Sequence, residues 1–323
     1  MTNIAAAPSS AETAAQLPTK LAKGFVDRLV IIVPYLWLLF FFLVPFIIVF
    51  KISLSQTAIS MPPYTPVLDF GDGISGFFAG FRELNFDNYT WLTQDALYFN
   101  AYVTSLIIAG ISTVLTLVVG YPIAYGMARA PATIRPTLLM LVILPFWTSV
   151  LVRTYAWLVI LQRKGLINNW LIDLGVIAQP LPLANNFAGV VIGMTHIMLP
   201  FLVLPLYASM KTIDVDCLRA GMNLGASPAA TFRQIFFPLS LPGLASGVVI
   251  VFVLCLGFFV TPALMGGGKV IMWAMRMEQA TSLYSNWGAG AALGVVLLAV
   301  TLALLGFFQW LLGARATGVW SQR

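Results

Sequence analysis

Charge is what this sequence has least of. Of its 323 residues only 9% are Asp, Glu, Lys or Arg, against roughly 25% in an ordinary soluble domain. A soluble chain of this length needs far more charge to cover its surface. Composition therefore excludes a soluble enzyme and a disordered chain. Cysteine is scarce too. Cys217 and Cys255 are the only two, which excludes a disulfide-built secreted scaffold. One falls in a polar loop and the other in an apolar run, so no bridge between them is expected. Histidine occurs once, at His196, and one imidazole with two thiols suggests no metal centre. There is no Gly-x-x-x-x-Gly-Lys-Ser/Thr loop to cradle nucleotide phosphates. Its nearest look-alike, Gly268-Lys269, lacks the first glycine and is followed by Val270. No paired acids and no Ser/His/Asp set stand out as catalytic.

What is present is apolar. Hydrophobic residues make up 60% of the chain, and the mean hydropathy is +0.92. They cluster in runs long enough to cross a bilayer, which takes about 20 residues each. The expected fold is an all-α polytopic membrane protein with six transmembrane helices. Residues 1–28 read as a cytoplasmic N-terminal tail, residues 29–52 as the first span. That run exceeds the roughly 7–15 apolar residues of a signal peptide and lacks a small-residue cleavage site. Residues 53–97 read as a long outer loop, broken by Pro62-Pro63, Pro66 and the turn cluster from Gly71 to Gly80. Residues 98–312 hold five further spans, near 98–128, 137–161, 187–210, 242–262 and 289–312, with a polar loop at 211–241. Residues 313–323 read as a cytoplasmic tail. Pro200 and Pro205 predict kinks in the fourth span, since each lacks a backbone donor.

The charges orient this topology. The chain has 17 Lys and Arg against 11 Asp and Glu, a surplus of six. In the proposed arrangement the cytoplasmic side carries ten cations and four acids, and the remaining seven and seven cancel. The whole surplus falls on one face, as the positive-inside rule requires. Nucleic-acid binding is not needed to explain it.

The segment between spans four and five is the most informative. It runs from Asp214 through Arg219-Ala220-Gly221 and Gly225-Ala226-Ser227-Pro228 to Pro238. Leu224-Gly225 reads as a helix stop, because glycine tolerates the left-handed conformation needed there. Ser227-Pro228 reads as a fresh start, with Ser as N-cap and Pro at the first position. The second helix would cover residues 229–236, with Phe232, Ile235 and Phe236 on one stripe. Pro238 and Pro242 would close the unit.

This helix–turn–helix resembles the cytoplasmic loop of ABC-importer permeases. There the loop begins Glu-Ala-Ala, places Gly four positions after the second Ala, and ends Ile-x-Leu-Pro. The matching positions here are Arg219-Ala220-Gly221, Gly225 and Ile235-x-Phe237-Pro238. Arg219 replaces the family Glu, and Gly221 replaces the second Ala. Further blocks resemble the spermidine/putrescine branch of these permeases. They are Pro145-Phe-Trp147-Thr-Ser-Val-Leu-Val-Arg153-Thr-Tyr155-Ala-Trp157, Gly165-Leu-Ile-Asn168, Phe259-Val-Thr261-Pro-Ala-Leu-Met-Gly-Gly-Gly268, and Asn286-Trp287 followed by Gly290-Ala-Ala292.

The resemblance implies a multi-pass subunit of a bacterial inner membrane with both termini in the cytoplasm. It would pair with a second, similar permease, an ATPase homodimer and a periplasmic binding protein. The chain itself would bind no cofactor, since ATP and Mg belong to the ATPase. Its loop, from Arg219 to Pro238, would present a coupling helix to that ATPase. The substrate would be a polyamine or a related small amino compound, moved by alternating access.

Candidate path residues are Trp147, Arg153, Tyr155, Trp157, Phe259, Thr261, Glu278, Asn286 and Trp287. Arg153 reads either as a vestibule cation or as an interfacial side chain. The aromatic rings read as a path attractive to cations or as an interfacial belt. Glu278 reads as an acid that greets an amine, or as the partner of Arg276. His196 reads as a packed helix residue. The rival to an importer subunit is an ion-gradient-driven transporter or channel. Such proteins carry intramembrane acids, and spans two to five contain none at depth.

Overall fold

The computed structural model describes residues 10–67, 80 and 82–320, and the side chains of residues 30–67, 80 and 82–310. Residues 1–9, most of the Gly71–Gly80 cluster and residues 321–323 lie outside this description. The chain divides into two units, Met1–Ile52 and Ser53–Arg323.

The first unit is helix α1, Ser10–Ser53. Its apolar part, Val30–Ser53, is long enough to span a membrane. The helix begins well inside the segment read as a tail. Ala, Leu, Lys, Gln, Glu and Arg, all good helix formers, make up 11 of residues 10–28; lack of apolar periodicity says where a helix is not buried, not that it is absent.

The second unit opens with a two-strand hairpin, β1 (Gln56–Thr57) against β2 (Tyr64–Thr65), then α2 (Asp87–Gln94). Asn88 donates to the Ser55 carbonyl at 2.8 Å, and the Asn85 amide donates to the Leu54 carbonyl at 3.0 Å. The described part of the 53–97 connection is thus folded, where the sequence suggested only a loop.

Three long helices form the centre: α3 (Ala96–Arg129), α7 (Phe187–Lys211) and α10 (Phe237–Leu256). None contains an acid. Asp95 caps α3 by accepting the Leu97 amide at 2.8 Å. At the other end Arg135 donates to the Ala130 and Ala128 carbonyls at 2.7 and 3.1 Å, satisfying acceptors the helix leaves open. Asn186 caps α7 through the Gly189 amide at 2.9 Å. A Cβ at Gly243 of α10 would overlap the Cβ of Ser209 on α7, so glycine is what lets these backbones approach, as small residues do between membrane helices. Ile108, Met194, Met198, Leu202, Val251 and Leu256 fill the core between the three. Helix α7 stays one helix through Pro200 and Pro205.

The third span is not one helix. It consists of α4 (Arg135–Ile143), a 3₁₀ turn (Leu144–Trp147) and α5 (Val150–Leu161), and the segments Arg135–Trp147 and Val150–Asp173 are bent by 94° to one another. Pro145 has no amide to continue the ladder, and Thr148 turns extended, at φ −101° and ψ 144°. Helix α6 (Leu166–Asp173) follows within the segment expected to be a loop. Asn168 fixes this connection. It donates to the Gln162 and Leu181 carbonyls, each at 3.0 Å, and accepts the Leu181 amide at 2.8 Å.

The polar loop contains α8 (Val215–Asn223) and α9 (Pro228–Thr231), then a π turn (Phe232–Phe236) that runs straight into α10. Pro238 and Pro242 therefore do not close the unit. The π turn bonds the Phe237 amide to the Phe232 carbonyl, five residues back, and this widening relieves the clash a proline ring makes with the carbonyl four residues before it. The fifth span also starts earlier than expected, covering Pro228–Leu256. It stops at Gly257, and Val260–Met265 forms a separate short helix, α11.

Helix α12 (Trp273–Glu278) is pinned by Trp273. Its amide donates to Ser105 Oγ of α3 at 2.8 Å, and its indole donates to the Leu293 carbonyl at 2.9 Å. A second π turn (Gln279–Leu283) leads to α13, Trp287–Trp320. This last helix runs through most of the segment read as a C-terminal tail. Among the described residues five helices are long and apolar enough to span a membrane, or six when the bent pair is counted as one span. The fold is that of a six-span helical membrane protein.

Candidate functional site

Two regions carry polar chemistry. The first is the loop at α8 and α9. Asp214 caps α8 by accepting the Asp216 amide at 2.9 Å. The helix ends in a Schellman motif: the Ala226 amide bonds the Gly221 carbonyl at 3.1 Å and the Gly225 amide bonds the Met222 carbonyl at 3.0 Å. Gly225 sits at φ +91°, a region that penalises any side chain. Ser227 Oγ accepts the Ala230 amide at 3.3 Å, and Pro228 occupies the first helical position. The stop and restart expected from the sequence are both present. Ala220 is exposed on α8. Gly221 faces inward, where a Cβ would lie 2.5 Å from Ile235 Cδ1.

Leu218 and Phe236 are buried beneath the loop, while the turn projects outward. Leu224 at its tip is 90% exposed. Arg219 pairs with Asp216 at 3.0 Å, the single salt bridge among the described residues.

The second region is the α5–α7–α11 contact. Arg153 and Trp157 lie one turn apart on α5. The Trp157 ring meets His196 of α7 edge to face, with centroids 5.5 Å apart. The Thr154 and Thr261 hydroxyls are 3.2 Å apart and buried, joining α5 to α11. The other candidates do not converge here. Trp147 stands at the helix break, 75% exposed. Tyr155, Phe259 and Trp287 are exposed apolar rings. Asn286 caps α13 through the Ala289 amide at 2.9 Å. Glu278 is exposed and does not pair with Arg276. Arg276 donates instead to Gln279 Oε1 at 3.1 Å, because residues two apart on a helix point to different sides and residues three apart do not. His196 is packed within α7, as the sequence suggested, whereas Thr154 had no sequence signal because its partner Thr261 lies 107 residues away.

Among the described residues no cluster of three or more His, Cys, Asp or Glu could hold a metal ion.

The sequence profile of the family described as "Binding-protein-dependent transport system inner membrane component" matches residues 116–317. The chain belongs to this family. The match begins in α3 and reaches into the last turns of α13, so it contains both polar regions. Among curated proteins, the spermidine/putrescine transport system permease protein PotB of Haemophilus influenzae is 33% identical over 291 residues, 90% of this chain and 95% of that protein. PotB of Escherichia coli is 39% identical over 224 residues, 69% of this chain and 81% of that protein. Among solved structures, a bacterial ABC transporter involved in the import of the acidic polysaccharide alginate aligns with a TM-score of 0.61 at 15% identity, covering 92% of this chain and 98% of that one. That likeness shows the fold. The permease is thus a multi-pass inner-membrane component of a binding-protein-dependent transport system, a transport subunit and not an enzyme.

Proposed function

We propose that this permease moves spermidine, putrescine or related small amino compounds, in partnership with a second permease, an ATPase pair and a periplasmic binding protein. The similarity to two PotB proteins supports the substrate class. The 211–241 loop supports the ATPase. The observation that carries the reading is its construction: a capped helix, a Schellman stop and a capped restart hold an apolar tip away from the protein. An exposed leucine on a hydrogen-bonded turn suits a groove on another protein. ATP binding on the ATPase would move this element as one piece, and alternating access would follow. The positive-inside pattern supports cytoplasmic termini and a cytoplasmic loop.

The test replaces Leu224 with Asp in the complex co-expressed with its neighbouring ATPase. Leu224 packs on nothing, so folding should survive. Loss of co-purifying ATPase, or hydrolysis without uptake, is the expected result. Normal coupled uptake of labelled putrescine would overturn the docking role.

A further inference from the structure

Arg153 and His196 are left over from the transport reading. Both lie in apolar, membrane-spanning parts of the fold, Arg153 on α5 and His196 on α7. Nε and Nη1 of Arg153 and Nδ1 of His196 are buried, and none of the three bonds to any described group. Arg153 lies one turn before Trp157 on α5, and Trp157 meets His196, so both polar side chains belong to the α5–α7 contact. Trp157 fixes the imidazole from one side. His196 also lines a half-open cavity of about 170 Å³ whose walls are otherwise apolar, among them Ile123, Leu141, Pro145, Leu199 and Val203.

Donors left without acceptors in an apolar setting are costly, and a charged guanidinium most of all. Such groups are retained where they meet an acceptor of opposite charge. This chain does not supply one from its spans. No Asp or Glu occurs in Ala96–Arg129, in residues 135–161, in Phe187–Lys211, in Pro228–Leu256 or in Trp287–Trp310. Neighbouring hydroxyls do not serve either, since Thr154 is engaged with Thr261.

We propose that Arg153 and His196 form a carboxylate-binding site within the membrane. A carboxylate has two oxygens and room for several donors, so one group can accept from the Arg153 nitrogens and, when the imidazole carries its proton on that nitrogen, from His196 Nδ1 together. Charge-assisted bonds of this kind are about twice as strong as neutral ones. The carboxylate comes either from a transported amine that also bears an acid group, or from an Asp or Glu of the paired permease. The site itself stands on the geometry of this chain. Only its place on a transport path rests on the function proposed above.

The experiment uses the assembled complex in nanodiscs, as wild type, Arg153→Gln, Arg153→Lys and His196→Phe. Thermal unfolding is followed with sodium acetate, with sodium 4-aminobutyrate and with sodium chloride at equal ionic strength. Pairing of the two permeases is followed by cross-linking. If a solute supplies the carboxylate, the carboxylates but not chloride raise the unfolding temperature of the wild type. Arg153→Gln then weakens that response by about tenfold or more in concentration, His196→Phe weakens it less, and Arg153→Lys retains part of it. If the paired permease supplies it, added carboxylates have no effect. Arg153→Gln then loosens the pair while Arg153→Lys holds it. A complex that ignores carboxylates and pairs equally well as wild type and as Arg153→Gln overturns the site. Co-purification of the ATPase is scored in every sample, so loss of the importer reading is seen separately.

Discussion

The Tyr125 ring meets the Phe236 ring almost at a right angle, with centroids 5.0 Å apart. Tyr125 belongs to α3 and Phe236 to the π turn that joins the polar loop to α10. Phe232 adds a second edge contact to Tyr125 at 5.5 Å. Arg129 lies over both Phe236 and Tyr125, 5.5 and 5.9 Å from their centroids. The loop is therefore fastened to the central helices by rings and one cation. The same buried cluster includes Val203, Leu206, Tyr207 and Met210 of α7, so the loop is packed against two of the three central helices.

Phe236→Leu keeps apolar volume but deletes the ring contacts. Such pairs contribute about 0.5–1.5 kcal/mol beyond area burial. The expected outcome is an assembled complex that unfolds a few degrees earlier and takes up less substrate per ATP hydrolysed. Thermal unfolding and the ratio of uptake to phosphate release check it.

Gly225→Val separates backbone from contact. A Cβ there meets nothing within 4 Å, yet φ is +91°. The cost is backbone strain, about 1–3 kcal/mol, and a β-branched residue suffers it fully. Asn tolerates positive φ better. Coupled uptake should fall in the order Gly, Asn, Val, measured in proteoliposomes. Equal coupling in all three would mean that the Schellman turn has no part in transmission.

This turn was readable from the sequence because its signals are local: Gly225 needs a special φ, and Ser227-Pro228 supply a cap and a fixed φ. The apolar spans were readable because length and composition decide them. The 94° break was not, since Pro145 and Pro200 look alike in sequence. One lies where Thr148 and Ser149 can turn extended; the other lies in α7, held on both sides by α3 and α10. The π turns escaped for a similar reason, because one inserted residue leaves no mark on hydropathy. The Trp157–His196 contact that brings Arg153 and His196 into one region lies between two separate helices, and only the packing shows it.

Arg219→Ala tests how much the Arg219–Asp216 ion pair matters. Its side chains are 69% and 74% exposed, so the pair contributes at most about 1 kcal/mol. Thermal unfolding of the complex should barely move. A large loss of uptake with unchanged unfolding would then report contact with a partner, and Arg219→Glu, which sets like charges beside Asp216, should lower uptake further.

Gly243→Leu attacks the centre instead of the surface. The added atoms collide with Ser209 on α7 and force α7 and α10 apart. Overpacking costs about 1–3 kcal/mol or more. The expected result is poor recovery of folded protein, measured by monodisperse yield, with Gly243→Ala milder. Adding Ser209→Gly, which vacates the clashing Cβ, should restore part of the yield for Gly243→Ala.

The break in the third span is open to a distance measurement. Met140 and Val159 are exposed and sit on opposite arms of the bend. A straight helix between them would span about 28 Å at 1.5 Å per residue. Two arms near a right angle reduce that to roughly 20 Å by the same rise. Spin labels at the two positions should report the shorter distance in the native chain. Pro145→Ala restores the missing amide and should populate the longer one. The native bend has two supports, the absent donor at Pro145 and the grip of α7 and α11 on α5 through Trp157 and Thr154. If the distance in Pro145→Ala stays near the shorter value, the second support suffices alone. Thr154→Val should then be needed, together with Pro145→Ala, before the longer distance appears.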